Sequence, residues 1–217
     1  MKKLFLIILT IASLTVAGQN HLIGVKGGVN ITNVKYNDDP IHIETKNTVS
    51  YIRGLTYEYI LNKHLSLGAE LLYEQRGWNV DVPTFDEFGN PGNTLTNRED
   101  FTYLSLPIKV GYSIGGNLYG FMNLGVIPAR LLSCKVTHPI ENGGAVYDVY
   151  SQYKNYDIAA LAELGGGYKI KDRIRLFSSF TYQHSLITAS VPRDVYSLEL
   201  THYGMSLTIG VKYSIVK

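Results

Sequence analysis

The chain has 217 residues, of which 45% are apolar, so it is large enough for one folded domain and too apolar for a disordered chain. Its 20 Lys and Arg residues nearly balance its 18 Asp and Glu residues, and the formal charge of +2 gives no basic excess for a nucleic-acid partner. The single cysteine, Cys134, excludes an internal disulfide framework and a zinc site built from several cysteines.

Residues 1–18 have the pattern of a secretory signal peptide. A positively charged start, Lys2-Lys3, precedes an apolar run from Leu4 to Ala17. The run is too short to cross a membrane as a helix. We predict cleavage after Gly18, with Ala17 as the alternative, and no lipid anchor because no cysteine lies at the cut. Residues 19–217 then form a single exported domain.

The exported chain alternates between apolar and polar residues with a period of two, without helical periodicity of any length. In residues 203–215 the odd positions are apolar and the even positions are small or polar. A weaker segment, 117–131, carries Tyr119, Phe121 and Ile127 on the face that should be polar. Eight antiparallel strands are predicted in total, at about 21–32, 51–62, 65–74, 100–113, 117–131, 156–169, 173–183 and 203–215.

Short and long connections alternate along the chain. The short ones are tight turns at 62–64, 115–116 and 171–172. The long ones are polar and rich in Asn, Asp, Gly and Pro, and they cover 33–49, 80–99, 132–152 and 186–198. In an up-and-down barrel this order places all turns at one end and all loops at the other, which is typical of bacterial outer-membrane barrels with short periplasmic turns and long external loops.

Alternation alone leaves two barrels open: a soluble, lipocalin-like barrel with its apolar face inward, and a membrane barrel with that face in lipid. The polar face of the last strand favours the membrane barrel, because Gly204, Ser206 and Thr208 suit a crowded interior better than a soluble surface. Lipid cannot satisfy an unpaired strand edge, so the first and last strands should pair. The sequence therefore predicts an all-β fold, an eight-stranded antiparallel up-and-down transmembrane β-barrel.

Tyrosines stand near the ends of the apolar faces. A tilted strand advances roughly 2.5 Å per residue along a barrel axis, so the interval from Tyr203 to Tyr213 spans about 25 Å, the height of the apolar band in such barrels. Tyrosine suits both edges of this band because its ring is apolar and its hydroxyl stays hydrated. We predict two aromatic girdles formed by Tyr51, Tyr59, Tyr73, Tyr112, Tyr156, Tyr168, Tyr182, Tyr203 and Tyr213.

Several short motifs follow one another in a distinctive order. They begin with Gly24-Val25-Lys26-Gly27-Gly28-Val29-Asn30-Ile31-Thr32, Gly54-Leu55, Glu58-Tyr59, Leu65-Ser66-Leu67 and Glu70-Leu71-Leu72-Tyr73. The most specific motif is Tyr103-Leu104-Ser105-Leu106-Pro107-Ile108-Lys109. Together they resemble the porin-family (PorT-type) outer-membrane β-barrels of the Bacteroidetes, in which a Glu stands at the place of Ser105. The resemblance covers nearly the whole exported chain; it implies the fold and the outer-membrane location and little about activity.

The inward face is predicted to carry a charge network whose role is structural. Its members are Glu58, Glu70, Lys109, Glu163, Arg175 and Lys212. Counted from the turns, Glu58, Glu70, Lys109 and Glu163 should share a middle layer. Unpaired buried charges are costly and eight strands leave little bore, so we expect paired side chains that plug the lumen. The alternative is a narrow ion path, as in a small-solute channel.

No catalytic, cofactor-binding or metal-binding residues are assigned. His184-Ser185, His202 and Glu199 would be the set for a rim-located lipid-modifying enzyme, but His184 and Ser185 point to opposite faces of their strand. The Gly165–Gly167 run is interpreted as a place of barrel curvature, because no helix follows it to form a phosphate loop.

The long loops are the predicted place of specific function. Loop 80–99, with Trp78 at its base and Phe85 and Phe88 within it, offers aromatic contacts for a protein or small-molecule ligand. The leading hypothesis is a non-enzymatic scaffold or binding protein embedded in outer-membrane lipid, without nucleic acid or cofactor and with its oligomeric state left open.

Overall fold

The computed structural model describes residues 20–36, 44–85, 88–138, 145–170, 173–189 and 199–215. The predicted signal peptide and the predicted turn at 171–172 lie outside these residues. The strands are β1 Asn20–Tyr36, β2 Thr45–Ile60, β3 Leu65–Phe85, β4 Pro91–Ser105, β5 Ile108–Gly115, β6 Leu118–His138, β7 Ala145–Asp148, β8 Tyr156–Ile170, β9 Ile174–Ser185 and β10 Leu200–Ile215.

The strands form a closed antiparallel ring. Each wall strand pairs with its neighbours in the chain, and β1 also pairs with β10 along its whole length, from His21 opposite Ile215 to Tyr36 opposite Leu200. β4 and β5 occupy one position between β3 and β6, so the ring has eight strand positions. The predicted eight-stranded barrel and the pairing of its first and last strands are confirmed.

The fourth wall strand is interrupted where one strand was predicted over 100–113. Leu106 and Pro107 separate β4 from β5, since proline cannot donate a backbone hydrogen bond. The neighbouring backbones follow the break, because Glu70 N donates to Pro107 O at 3.0 Å and Leu106 N donates to Pro128 O at 2.8 Å.

The faces of the wall are divided as predicted. On β10, Ile209 is 69% exposed and Leu207 is 55% exposed, whereas Thr208 is 1% exposed. Large apolar side chains are exposed along the outside of the other strands too, and the small and ionic side chains are buried in the bore. No helix among the described residues is long and apolar enough to cross a membrane.

Two predicted loops are largely strand. The 80–99 loop is a hairpin in which β3 and β4 remain paired past Val82 and Leu95, and the 132–152 loop contains the end of β6, β7 and a short 3-10 helix, Tyr150–Gln152. β1 and β2 likewise extend to Tyr36 and from Thr45, into the predicted 33–49 loop. The polar composition was misleading, because strands that rise beyond the lipid need no apolar outer face.

The predicted girdle tyrosines lie at two levels of the wall. Tyr59, Tyr112, Tyr168 and Tyr213 are near the turn end, and Tyr51, Tyr73, Tyr156, Tyr182 and Tyr203 are near the loop end. Their positions follow from the register, in which Tyr213 stands opposite Ile174 and Tyr182 stands opposite Met205. At the turn end, Tyr112 stacks on His64, with ring centroids 5.5 Å apart.

Candidate functional site

A neutral set of four charged side chains fills the middle of the bore. Lys26 Nζ lies 2.7 Å from Glu70 Oε2 and 3.7 Å from Glu163 Oε1. Lys109 Nζ lies 2.7 Å from Glu70 Oε1 and 2.5 Å from Glu163 Oε2. All four side chains are almost completely buried. Two cations therefore alternate with two carboxylates, and we call these four residues the middle layer.

Neutral side chains complete the coordination of Glu163. Asn123 Nδ2 donates to Glu163 Oε2 at 2.5 Å, and Ser179 Oγ donates to Glu163 Oε1 at 2.7 Å. Ser179 Oγ is also within 2.9 Å of Thr208 Oγ1. The buried carboxylate is satisfied on both oxygens, as burial requires. Lys26 and Asn123 were not among the predicted members of the network, although Lys26 has the same facing and charge as the lysines that were.

Glu58 does not belong to the middle layer, contrary to the prediction. Glu70 stands opposite Thr56 on β2, and Glu58 stands opposite Gly68, one pleat nearer the turns. There Lys212 Nζ donates to Glu58 Oε2 at 2.7 Å and lies 4.7 Å from the Phe177 ring centroid. Counting from the turns failed because the heights of side chains in a tilted barrel depend on the stagger between strands.

A second ionic layer lies on the loop side of the middle layer. Arg76 bonds to Glu74 Oε1 at 2.6 Å and to Asp157 Oδ2 at 2.5 Å. Ser105 Oγ donates to Glu74 at 2.5 Å, Ser185 Oγ donates to Asp157 at 2.8 Å, and the Arg76 guanidinium stacks 4.7 Å from the Tyr103 ring. Arg76, Glu74 and Asp157 were not among the predicted members of the charge network, and their contacts depend on register, which the sequence alone does not give.

The space between the two ionic layers is a void of about 20 Å³, lined in part by Glu74, Lys109 and Glu163. That volume holds roughly one water molecule. The bore is therefore closed at this height by side chains whose charges are paired.

An aromatic cap closes the loop end. Trp78, Phe101, Tyr103, His202 and Tyr153 form it, with the Trp78 and Phe101 rings 5.0 Å apart and the Phe101 and Tyr153 rings 4.7 Å apart. Trp78 is 0% exposed, so the prediction that it contributes to a contact surface for a partner is wrong. Cys134 is buried against the same cluster. The cap fixes the base of the β3–β4 hairpin to the barrel.

Tyr153 joins the cap to β4 through a hydrogen bond. Its hydroxyl donates to Glu99 Oε2 at 2.8 Å. Glu99 lies beyond the loop-end tyrosines, in the hairpin, where its burial raises the pKa of its carboxyl. The bond from Tyr153 acts in the opposite direction on that pKa.

Among the described residues, the side chains considered for a rim catalytic set do not come together. Ser185 is committed to Asp157, and His202 is enclosed by the rings of Trp78, Phe101 and Tyr103. Within the described residues no hydrogen bond connects Ser185, His184, His202 or Glu199, and no group of three or more His, Cys, Asp or Glu side chains could hold a metal ion.

The hairpins beyond the cap expose apolar side chains. Phe88, at the end of the β3–β4 hairpin, is 88% exposed, and Val146 and Tyr147 are exposed on β7. An ion pair between Lys46 and Asp81 connects the β3–β4 hairpin to β2. A hydrogen bond of 2.8 Å from Thr96 Oγ1 to Asp81 connects the two strands of the hairpin. Phe88 therefore ends a supported arm.

Comparison with known proteins gives a family and a set of solved barrels. The family model described as "Outer membrane protein beta-barrel domain" matches residues 17–190. No curated protein matches the chain.

Solved structures that match include OprG from Pseudomonas aeruginosa, with 15% identity, 93% of this chain and 97% of that chain covered, and a TM-score of 0.49. Neisserial surface protein A matches with 9% identity, coverage of 88% and 96%, and a TM-score of 0.47. Ail of Yersinia pestis, solved with the heparin analogue sucrose octasulfate, matches with 14% identity, coverage of 90% and 99%, and a TM-score of 0.42.

Proposed function

Because the chain belongs to the family of outer-membrane protein β-barrel domains, we propose that it acts as a non-enzymatic scaffold or binding protein through the hairpins at its loop end. It is an integral β-barrel of the cell outer membrane. The closed bore carries the proposal, since a barrel filled by paired charges and sealed by an aromatic cap offers its specific surface outside the lumen.

In the proposed position in the membrane, the apolar wall has a boundary with water at each end. The tyrosines of the turn end and of the loop end form girdles on either side of the apolar wall, because tyrosine favours the boundary between lipid and water. Residues 1–18 are the signal peptide that directs the chain to export. The turns then face the periplasm and the hairpins face outward.

The β3–β4 hairpin is the principal binding element of this proposal. Trp78 and Phe101 fix its base in the cap, and Phe88 stands exposed at its end. A supported arm loses less conformational freedom on binding than a loose loop does, and aromatic side chains supply much of the energy of protein contacts. Val146 and Tyr147 on β7 offer a second apolar contact for the same protein or small-molecule ligand.

The proposal that the protein is non-enzymatic rests on the contacts that the rim residues Ser185 and His202 make. The hydroxyl of Ser185 donates to a buried carboxylate, and the His202 ring is enclosed among aromatic rings. Neither group is available to attack a lipid ester.

Site-specific photo-crosslinking in intact cells tests this function. A crosslinking residue at position 88 or at position 147 should give the same discrete adduct, whereas one at Leu164, which is exposed on the wall, should give only lipid adducts. Joining Asp81 to Thr96, which stand opposite each other, by an Asn-Gly turn removes the hairpin end and should abolish the adduct at position 147. The proposal fails if positions 88 and 147 give no adduct beyond those of position 164.

The finer assignment to PorT-type barrels of the Bacteroidetes is also proposed. It is supported by the motif Tyr103–Lys109, in which Ser105 contacts Glu74 and Lys109 contacts Glu70 and Glu163. The motif therefore supplies groups to both ionic layers of the bore.

A further inference from the structure

The bore is not closed along its whole length. At the turn end it widens into a cavity of about 350 Å³, which we call the turn-end vestibule. Its mouth is lined by turn residues 62–64 and by the end of β5, and its floor by Phe121 and Asn123. The vestibule lies on the opposite side of both ionic layers from the hairpins, so it is independent of the function proposed for the loop end.

Three cations stand side by side in this vestibule. Lys169 on β8 lies directly opposite Arg175 on β9, and Arg175 lies directly opposite Lys212 on β10. All three line the cavity, together with Lys63 from the first turn. Like charges in directly opposite cross-strand positions destabilise a sheet, so this row costs stability unless something neutralises it.

The described protein residues neutralise only part of the row. Glu58 is the one carboxylate among the described lining residues, and it is bound to Lys212 at 2.7 Å. Across the portion of the chain that the structure describes, no carboxylate lies within ion-pair distance of Lys169 or Arg175. In the middle layer, by contrast, two lysines meet two glutamates. The vestibule therefore holds an excess of cations, unlike the neutral middle layer and unlike the loop-side layer, where the single cation Arg76 meets two carboxylates.

We propose that the turn-end vestibule binds a small phosphate-bearing anion from the turn side of the membrane. The Arg175 guanidinium can hold two phosphate oxygens at once, and the ammonium of Lys169 stands beside it. Ser66, Ser113 and Tyr119 add hydroxyl groups to the lining. The volume is at the small end of the range for ligand sites, so it suits inorganic phosphate or a small phosphomonoester.

Calorimetric titration of the purified full-length exported barrel in detergent tests the site. Inorganic phosphate and glycerol phosphate serve as probes, with glycerol as the neutral control and succinate as a dicarboxylate of similar charge. We expect R175Q and K169Q each to weaken phosphate binding at least about tenfold, because each removes a charge-assisted contact. K135Q removes the same charge from an exposed position near the loop end and should leave the affinity unchanged. Heat-modifiable gel mobility reports that each variant is folded.

The stability of the phosphate-free protein is a second measurement. A purely structural role for Arg175 predicts the opposite change in stability from the one expected here. Removing one of three adjacent like charges should raise the unfolding temperature of phosphate-free R175Q, whereas loss of a structural ion pair would lower it. The assignment is overturned if the folded wild type binds neither inorganic phosphate nor glycerol phosphate, if K135Q weakens binding as much as R175Q, or if phosphate-free R175Q is less stable than wild type. Tighter binding of succinate than of phosphate would overturn the proposal that the ligand is a phosphate-bearing anion. Binding of glycerol phosphate but not of inorganic phosphate would identify an organic phosphomonoester as the source.

Discussion

Phe121 on β6 lies directly opposite Gly165 on β8, and its ring occupies the space that a side chain at position 165 would need. The same relationship holds for Tyr119 and Gly167, which also stand opposite each other. Tyr119 and Phe121, the aromatic residues on the inward, otherwise polar face of β6, thus fit inside the bore because glycines stand opposite them on the next strand. The glycine run serves this close packing, which the interpretation as curvature alone did not anticipate.

Gly165→Ala should destabilise the barrel by about 1–3 kcal/mol, because its Cβ would overlap the Phe121 ring and lie 2.5 Å from the Ser178 carbonyl oxygen. Gly166→Ala is the matched control, since position 166 faces outward and its nearest contact is a backbone oxygen at 3.4 Å. Urea unfolding of both variants in lipid vesicles gives the comparison. Equal stability of the two variants would show that Phe121 moves aside without cost.

The wall of this barrel was predictable from sequence because each spanning strand has lipid on one side and packed side chains on the other. That environment imposes the alternation seen from Leu207 to Val211. The upper parts of β3 and β4 escaped prediction because both of their faces lie beyond the lipid. A polar strand there has the composition of a loop.

The contents of the bore were less predictable because they depend on register. The charge and facing of Glu58 and Glu70 are evident in the sequence, but their one-pleat difference in height is set by how β2 pairs with β3. Likewise, the accommodation of Phe121 requires knowing that Gly165 stands opposite it. Single-strand patterns identify which side chains face inward, and the stagger of the strands decides which of them meet.

The middle layer should show strong coupling between Glu70 and Lys109. E70Q or K109M alone leaves an uncompensated buried charge and should cost about 3–5 kcal/mol, whereas the double variant restores neutrality. We therefore expect the double variant to be more stable than the sum of the single effects by about 1–3 kcal/mol. Urea unfolding of the four proteins measures this double-mutant cycle.

The exposed ion pair of Lys46 and Asp81 provides the control cycle for that measurement. Solvent screens this pair, so K46M and D81N should show little coupling. Additive effects of E70Q and K109M, no larger than those of the control cycle, would mean that Lys26 and Glu163 compensate each loss and that the four charges do not act as paired partners.

The closed bore predicts that the barrel does not conduct. In planar lipid bilayers the wild type should show no stable unitary current step, because the two ionic layers lie in series with the aromatic cap. The Trp78→Ala variant loses part of the cap but keeps both ionic layers, so it should also show no current step. Heat-modifiable mobility of the inserted protein controls for folding, and a reproducible step of fixed size in wild type would favour the small-solute channel.

His202 is expected to lower the stability of the cap in which it lies. It is buried among aromatic rings, 5.0 Å from Phe101, and neither of its ring nitrogens has a hydrogen-bond partner among the residues that the structure describes. An unpartnered buried polar group costs about 1–3 kcal/mol, so His202→Phe should stabilise the barrel by removing that cost. His202→Leu is included because it separates this effect from any strain that the larger phenyl ring introduces.

The matched control for His202 is His21, whose Nδ1 is 2.8 Å from the Tyr57 hydroxyl. His21→Phe removes a partnered nitrogen and should give no gain in stability. Urea unfolding in vesicles, followed by Trp78 fluorescence for the cap and by gel mobility for the whole barrel, measures the three variants. If both His202 variants are less stable than wild type, the imidazole has a polar partner that outweighs its burial, and the cap is held by that contact as well as by its aromatic rings.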